Sequence, residues 1–245
     1  MNEAKVVTTV LRIPGNWAHP GELVARLPAG FRLTPAALVL PDGTKIEITP
    51  MPPDDQFAQI FQSACRLPAT EDETAIVNSY TVNIVLAGAG GSMRAAVTMM
   101  QAGAAIVHAG GAGVFIDNSA MAHGGGQWLE MAEDASPDAV SFAFVSIIRG
   151  RHEVRTLGMH VLGMPDVVMR RSDIDSDGRT IIEIIRYLAQ GHKPIGDGHL
   201  LADEAATLRF QARAASHDEF DAGSPMHNPF GRFKLVSMKD IAENN

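Results

Sequence analysis

The chain of 245 residues holds one cysteine, Cys65, and one cysteine can close neither an intrachain disulfide nor a multi-cysteine zinc or iron–sulfur site. That scarcity fits a reducing compartment. Positive charge is also short, with 20 lysines and arginines against 28 acids, a formal net charge of -8 and a pI near 5.5. A nucleic-acid backbone needs a clustered positive footprint, so no nucleic-acid partner is expected. The tight basic groups Arg149/Arg151/Arg155 and Arg170/Arg171 fall at expected strand ends, where solvated charges discourage sheet-to-sheet association. No apolar run reaches the roughly 18 to 20 residues of a membrane-spanning helix. The start, Met1-Asn2-Glu3-Ala4-Lys5, lacks a basic region followed by an apolar signal core. The expectation is a cytoplasmic protein with no membrane partner.

Several chemical signatures are missing too. Among nine histidines no pair has the HxxxH or HExxH spacing that sets two imidazoles on one helix face, and no Gly-x-Ser-x-Gly elbow occurs. The glycine-rich turn Leu86-Ala87-Gly88-Ala89-Gly90-Gly91-Ser92-Met93 lies between strand and helix, where backbone N–H groups could cradle a phosphate. A dinucleotide fingerprint wants glycine in place of Met93, and no phosphate-loop lysine–serine pair follows, so a structural turn is the expectation. Asp173-Ile174-Asp175-Ser176-Asp177-Gly178 opens like a calcium loop, yet Ile184 stands where the bidentate acid belongs and Thr180 where an aliphatic residue belongs. An acidic helix entry accounts for it more simply. No metal and no cofactor are therefore expected, and Cys65 reads as a structural thiol on the apolar face of a helix.

What is present is hydrophobic material in ordered patterns, 46% apolar against 20% charged, enough for a substantial core. Lys5 to Ile13 reads as a strand, Pro20 to Leu27 as a short helix, and Ala36 to Thr49 as a hairpin turned by Asp42-Gly43. Asp54 and Asp55 precede a helix carrying Phe57, Ile60, Phe61 and Ala64, and Ala75 to Leu86 reads as strand. Ser92 caps a linking helix. Beyond it a helix from about Asn118 to Glu133, strands over Ala139 to Arg149 and Val154 to Leu162, a helix from Arg179 to Gln190 and a strand near Thr207 repeat the outline. The fold class expected is α+β: two fused ferredoxin-like (βαββαβ) units with antiparallel sheets, the first over residues 1–90 and the second over 91–245. The polar stretch Ser216 to Gly231 is a long loop.

The segment Thr156-Leu157-Gly158-Met159-His160-Val161-Leu162-Gly163-Met164-Pro165-Asp166 stands out, with one histidine between two glycines. Together with Gly113 to Ser119, the helix to Gln190 and Gly196-Asp197-Gly198, it resembles an uncharacterised bacterial domain-of-unknown-function family over about the last 140 residues in layout. That resemblance implies a domain identity and no reaction. Three glycines in Met121-Ala122-His123-Gly124-Gly125-Gly126-Gln127-Trp128 interrupt a regular helix, either as a loop lining a cleft or as a surface break.

The leading expectation is a non-catalytic binding or regulatory module for a small molecule or protein partner. Its ligand groove would lie near Gly110 to Trp128, with His108, Asp117, Asn118, His123, Trp128 and His160 as ligand-binding residues. One alternative is a metal-assisted hydrolase or phosphoesterase using His108, Asp117, His123 and His160 in one pocket. The other is a homo-oligomeric scaffold or antitoxin-like protein.

Overall fold

The computed structural model describes residues 6–175, 178–191, 195–202, 209–216 and 219–238. Its first strand, β1 (Thr8–Gly15), buries Leu11 and Ile13, and the opposite face carries Arg12. That alternation sets one face of the strand deep in the core and leaves the other only partly covered. β1 pairs along its whole length with β5 (Val82–Ala89) and, on its other edge, with β6 (Gly113–Ile116), both antiparallel. The short strands β2 (Arg32–Leu33) and β3 (Ala37–Val39), then β4 (Lys45–Met51), extend the sheet beyond β5. The expected hairpin at Asp42-Gly43 joins β3 to β4. β7 (Met121–Gly124) adds to β6, so the sheet runs β2-β3-β4-β5-β1-β6-β7.

Both faces are covered. On one lie α2 (Phe57–Ala64) and α3 (Glu71–Ser79), whose Phe57, Phe61 and Val77 pack with Tyr80, Phe115 and Ala122. Asp54 accepts from the N–H of Gln56 and Phe57, both at 2.9 Å, and a Thr70–Glu73 capping box starts α3. The other face receives α4 (Met93–His108), started by Ser92, with Met99, Met100 and Ile106 buried against Leu11 and Leu86. The short helix α1 (Pro20–Arg26) completes this half.

α5 (Gly125–Asp134) and α6 (Pro137–Phe144) pack beside α4 and lead into the second sheet, β11-β12-β13-β10-β9-β8. Its strands are β8 (Ser146–Arg149), β9 (Glu153–Leu157), β10 (Asp166–Arg170), β11 (Leu200–Ala202), β12 (Arg209–Ala215) and β13 (Arg232–Ser237). Among the described strand pairs of this sheet, only β10–β13 is parallel. The amphipathic α7 (Arg179–Ala189) buries Ile181, Ile184, Ile185 and Leu188 in the same core that holds Val167, Met169 and Leu235. That core is continuous with the one over the first sheet.

The chain is thus α+β with two largely antiparallel sheets. The pairing departs from two ferredoxin-like units, because β1 is flanked only by antiparallel neighbours and has no parallel partner strand. β6 and β7 come from beyond residue 90 and still join the first sheet, so the sheets do not divide at 90. Several expected elements also differ. Residues 75–79 finish α3 before β5 begins, residues 121–124 are strand, and residues 137–144 are helix. In that last stretch Ser136 accepts from the Ala139 N–H at 3.2 Å with Pro137 at the first helical position, while Val140, Ala143 and Phe144 recur at helical spacing on the buried side. A cap and a period of 3.6 outweighed β-rich composition.

Among the described residues no helix is long and apolar enough to cross a membrane.

Candidate functional site

The segment Thr156 to Asp166 is a folded latch rather than a strand. β9 ends at Leu157, a 3-10 turn covers Met159–Leu162, and β10 begins at Asp166. Gly158 and Gly163 flank the turn at φ +103 and +83, and a Cβ on either would lie 2.3 or 2.4 Å from the carbonyl oxygens of Phe144 and Gly91. Both positions need a residue without a side chain. Asp166, buried, accepts from the Thr156 hydroxyl at 2.9 Å and the Asn228 amide at 2.7 Å, which ties the loop before β13 to the turn. Burial pushes its carboxyl pKa up, against the lowering by those hydrogen bonds.

His160 belongs to the same latch. Its Nε2 lies 2.9 Å from the Pro225 carbonyl, which can only accept, so Nε2 carries the proton and Nδ1 is a buried acceptor with no hydrogen-bond partner among the described residues. Asn118 meets it there, donating to the Pro225 and Thr8 carbonyls and accepting from the Val10 N–H, each at 2.9 Å. Burial drives the His160 pKa from 6.5 to about 4, so the ring is neutral. The buried ring backs onto an open cleft of about 520 Å³ beside Thr8 and His227.

His123 and Trp128 form a second group, with ring centroids 6.0 Å apart inside the core. His123 Nε2 lies 3.0 Å from the Ala143 carbonyl oxygen and Nδ1 2.9 Å from Gln127 Oε1, and the neutral ring has one proton to give between them. Desolvation lowers this imidazole to about 4 as well. Trp128 donates from Nε1 to the Met100 carbonyl at 3.1 Å. The glycines around them serve packing, since Gly126 N–H at the start of α5 donates to Glu73 at 2.8 Å and a Cβ on Gly124 would lie 2.4 Å from the same carboxylate. Neither a cleft loop nor a surface break is needed.

Asp117 is held by Arg12 through contacts of 2.7, 2.8 and 3.0 Å, a bidentate pair at the end of β6. His108 is exposed at the end of α4, on a different cleft of about 590 Å³ that also carries Asp42 and Glu133. The structure therefore joins Asn118 to His160 and His123 to Trp128, and it sets Asp117 and His108 apart. The glycine-rich turn before α4 donates Gly90 N–H to Val7 and Gly91 N–H to Val161, so those two amides are already committed. Asp175 accepts from the N–H and hydroxyl of Thr180, both at 3.0 Å, as a helix entry would, while residues 176–177 of the calcium reading lie outside the described residues. Among the described residues no three His, Cys, Asp or Glu side chains group as metal ligands do. Cys65 is half-buried at the end of α2, and desolvation raises its thiol pKa, the opposite of what an activated thiolate requires.

A charged cavity lies elsewhere. An open cleft of about 560 Å³ sits where the edge strands β7 and β8 approach, walled by α2, α6 and α7, and three arginines line it: Arg66, Arg149 and Arg186. Arg186 pairs with Asp138 at 3.2 Å, and both are exposed, so the pair holds weakly. Arg66 and Arg149 have no carboxylate within ion-pair reach among the described residues. Arg66 donates from Nη1 to the Phe142 carbonyl, and its guanidinium carbon lies 4.2 Å from the centre of the Phe142 ring. Burial lowers the Arg66 pKa, yet a guanidinium stays charged at any working pH. Ala120 borders the cleft at φ +50, a left-handed conformation unusual for alanine, in the turn joining β6 to β7.

Arginines 66 and 186 carried no local pattern in the sequence, and Arg149 read as an edge charge, which it also is. Compared with known protein families, curated proteins and solved structures, the chain matches none.

Proposed function

We propose that this protein is a non-catalytic binding module whose ligand is a small anion seated in the cleft between β7 and β8. The observation that carries the reading is a pair of guanidiniums, Arg66 and Arg149, that have no counterion among the described residues, in a cavity of a chain whose net charge is -8. Guanidinium forks match phosphate and carboxylate oxygens two at a time, and such charge-assisted bonds are about twice as strong as neutral ones. Among the described residues the cleft holds no pairing of hydroxyl and base. Its one acid, Asp138, is engaged with Arg186, and the Ser141 hydroxyl is committed to the Asp138 carbonyl at 3.0 Å. Holding an anion is what this lining does well; activating a nucleophile is not.

The hydrolase reading needs His108, Asp117, His123 and His160 around one space, and their four separate environments weigh against it. Membership of the domain-of-unknown-function family stays attached to this reading through Thr156 to Asp166, whose side chains support the fold. The test is titration calorimetry with inorganic phosphate at low salt. Binding by the native chain that is lost in Arg149→Gln supports the reading, and no heat with either protein refutes it.

A further inference from the structure

The cleft has two kinds of wall. Arg66, Arg149 and Arg186 supply charge, while Met121, Val145, Ile147, Ile182 and Ile185 supply hydrocarbon. Of these, Met121, Val145 and Ile185 belong to the buried core, whereas Ile147 and Ile182 are half-buried and present apolar surface at the cleft. Phe142, on the same wall, is 39% exposed in the last turn of a helix whose other aromatic, Phe144, is fully buried. An inorganic anion would engage only the guanidiniums and leave this apolar surface in water. At about 560 Å³ the cleft falls within the roughly 300 to 1,000 Å³ usual for small organic ligands.

Resting on the binding reading above, we propose that the ligand is an organic anion with a flat or chain-like hydrocarbon body. Its phosphate or carboxylate head lies against Arg66 and Arg149, and its body covers Ile147, Ile182 and the open edge of Phe142. The stack of Arg66 on Phe142 holds the guanidinium plane before the ligand arrives, so little side-chain freedom is lost on binding. Asp138 flanks the head position and discriminates against more highly charged anions, which it repels.

Calorimetry on the full chain with phenyl phosphate, inorganic phosphate and phenol tests this. Phenyl phosphate should bind about tenfold or more tightly than inorganic phosphate, because the ring removes further apolar surface from water. Phenol alone should give no measurable binding. Ile182→Ser, with Ile147→Ser as a second variant at an independent position, should cut that advantage to about threefold or less while inorganic phosphate binds as before. Each variant is first shown to melt cooperatively. Equal affinity for the two phosphates, both lost in Arg149→Gln, would overturn the organic-anion inference and leave the anion site standing. No binding of either phosphate would overturn both. Retention of the advantage in both serine variants would show that the ring lies elsewhere and would overturn the assignment of the apolar wall.

Discussion

Acidification should unfold this protein through two imidazoles before its carboxylates matter. His123 and His160 are 0% and 1% exposed, and each has its pKa held near 4 by desolvation against 6.5 in an open chain. Below pH 6.5 the unfolded chain takes up protons that the folded chain refuses, so stability falls as pH drops from about 6.5 toward 4. Between pH 7 and pH 5 the loss works out at about 1.5 to 2 kcal/mol for each ring, or about 3 to 4 kcal/mol for the two together. That is a large part of the roughly 5 to 15 kcal/mol that holds a typical domain. Asp166 acts with the opposite sign: its raised carboxyl pKa favours the folded state at low pH, and that contribution disappears as pH rises through the folded value. Urea denaturation at pH 7, 6 and 5, followed by far-ultraviolet circular dichroism, measures the sum. His123→Gln and His160→Gln isolate the imidazoles, each removing about half of the pH dependence while leaving the Asp166 contribution in place. An unchanged slope in both variants would refute the assignment of these rings as buried neutral groups.

Other expectations follow from single contacts. Asp166→Ala leaves the Asn228 amide and the Thr156 hydroxyl short of a partner and should cost about 2 to 4 kcal/mol in urea denaturation. A loss below about 1 kcal/mol would mean that the loop before β13 is not latched by this carboxylate. Gly158→Ala should be at least as damaging, about 3 kcal/mol or more, because its Cβ would meet the Phe144 carbonyl at 2.3 Å in a left-handed backbone. A melting temperature equal to that of the native chain would contradict the packing described. Asp138→Asn removes the one acid of the arginine cleft and should tighten inorganic phosphate binding by about threefold to tenfold at low salt; weaker binding would show that Asp138 orients Arg186 instead of opposing the ligand.

Much of the local structure was legible because it was written in local chemistry. Asp42-Gly43 turned the expected hairpin, Ser92 capped the expected linking helix, Asp54 accepts from the N–H groups that open α2, and the helix expected from Arg179 to Gln190 is α7. Where composition and period disagreed, reading by composition failed, as at Ala139 to Phe144, where valine and phenylalanine suggest strand but burial follows a helix. The sheet joins were not legible, since nothing near Gly113 or Met121 declares that β6 and β7 pair beside β1. His160 and Asn118 do meet, but their contacts are largely with backbone carbonyls and amides, which no side-chain motif records. The arginine cleft was hidden for a related reason: its three cations come from the segment just after α2, the end of β8 and the body of α7, brought together only by tertiary packing.

Nuclear magnetic resonance of the arginine Nε–Hε groups, followed while phenyl phosphate is added, addresses the anion cleft without intermediaries. Resonances of Arg66 and Arg149 should move together and saturate, with the backbone amides of Ala120 and Phe142, and the ligand should be recovered with its ester intact. Shifts centred instead on His160 and His227, or release of inorganic phosphate during the titration, would contradict the account.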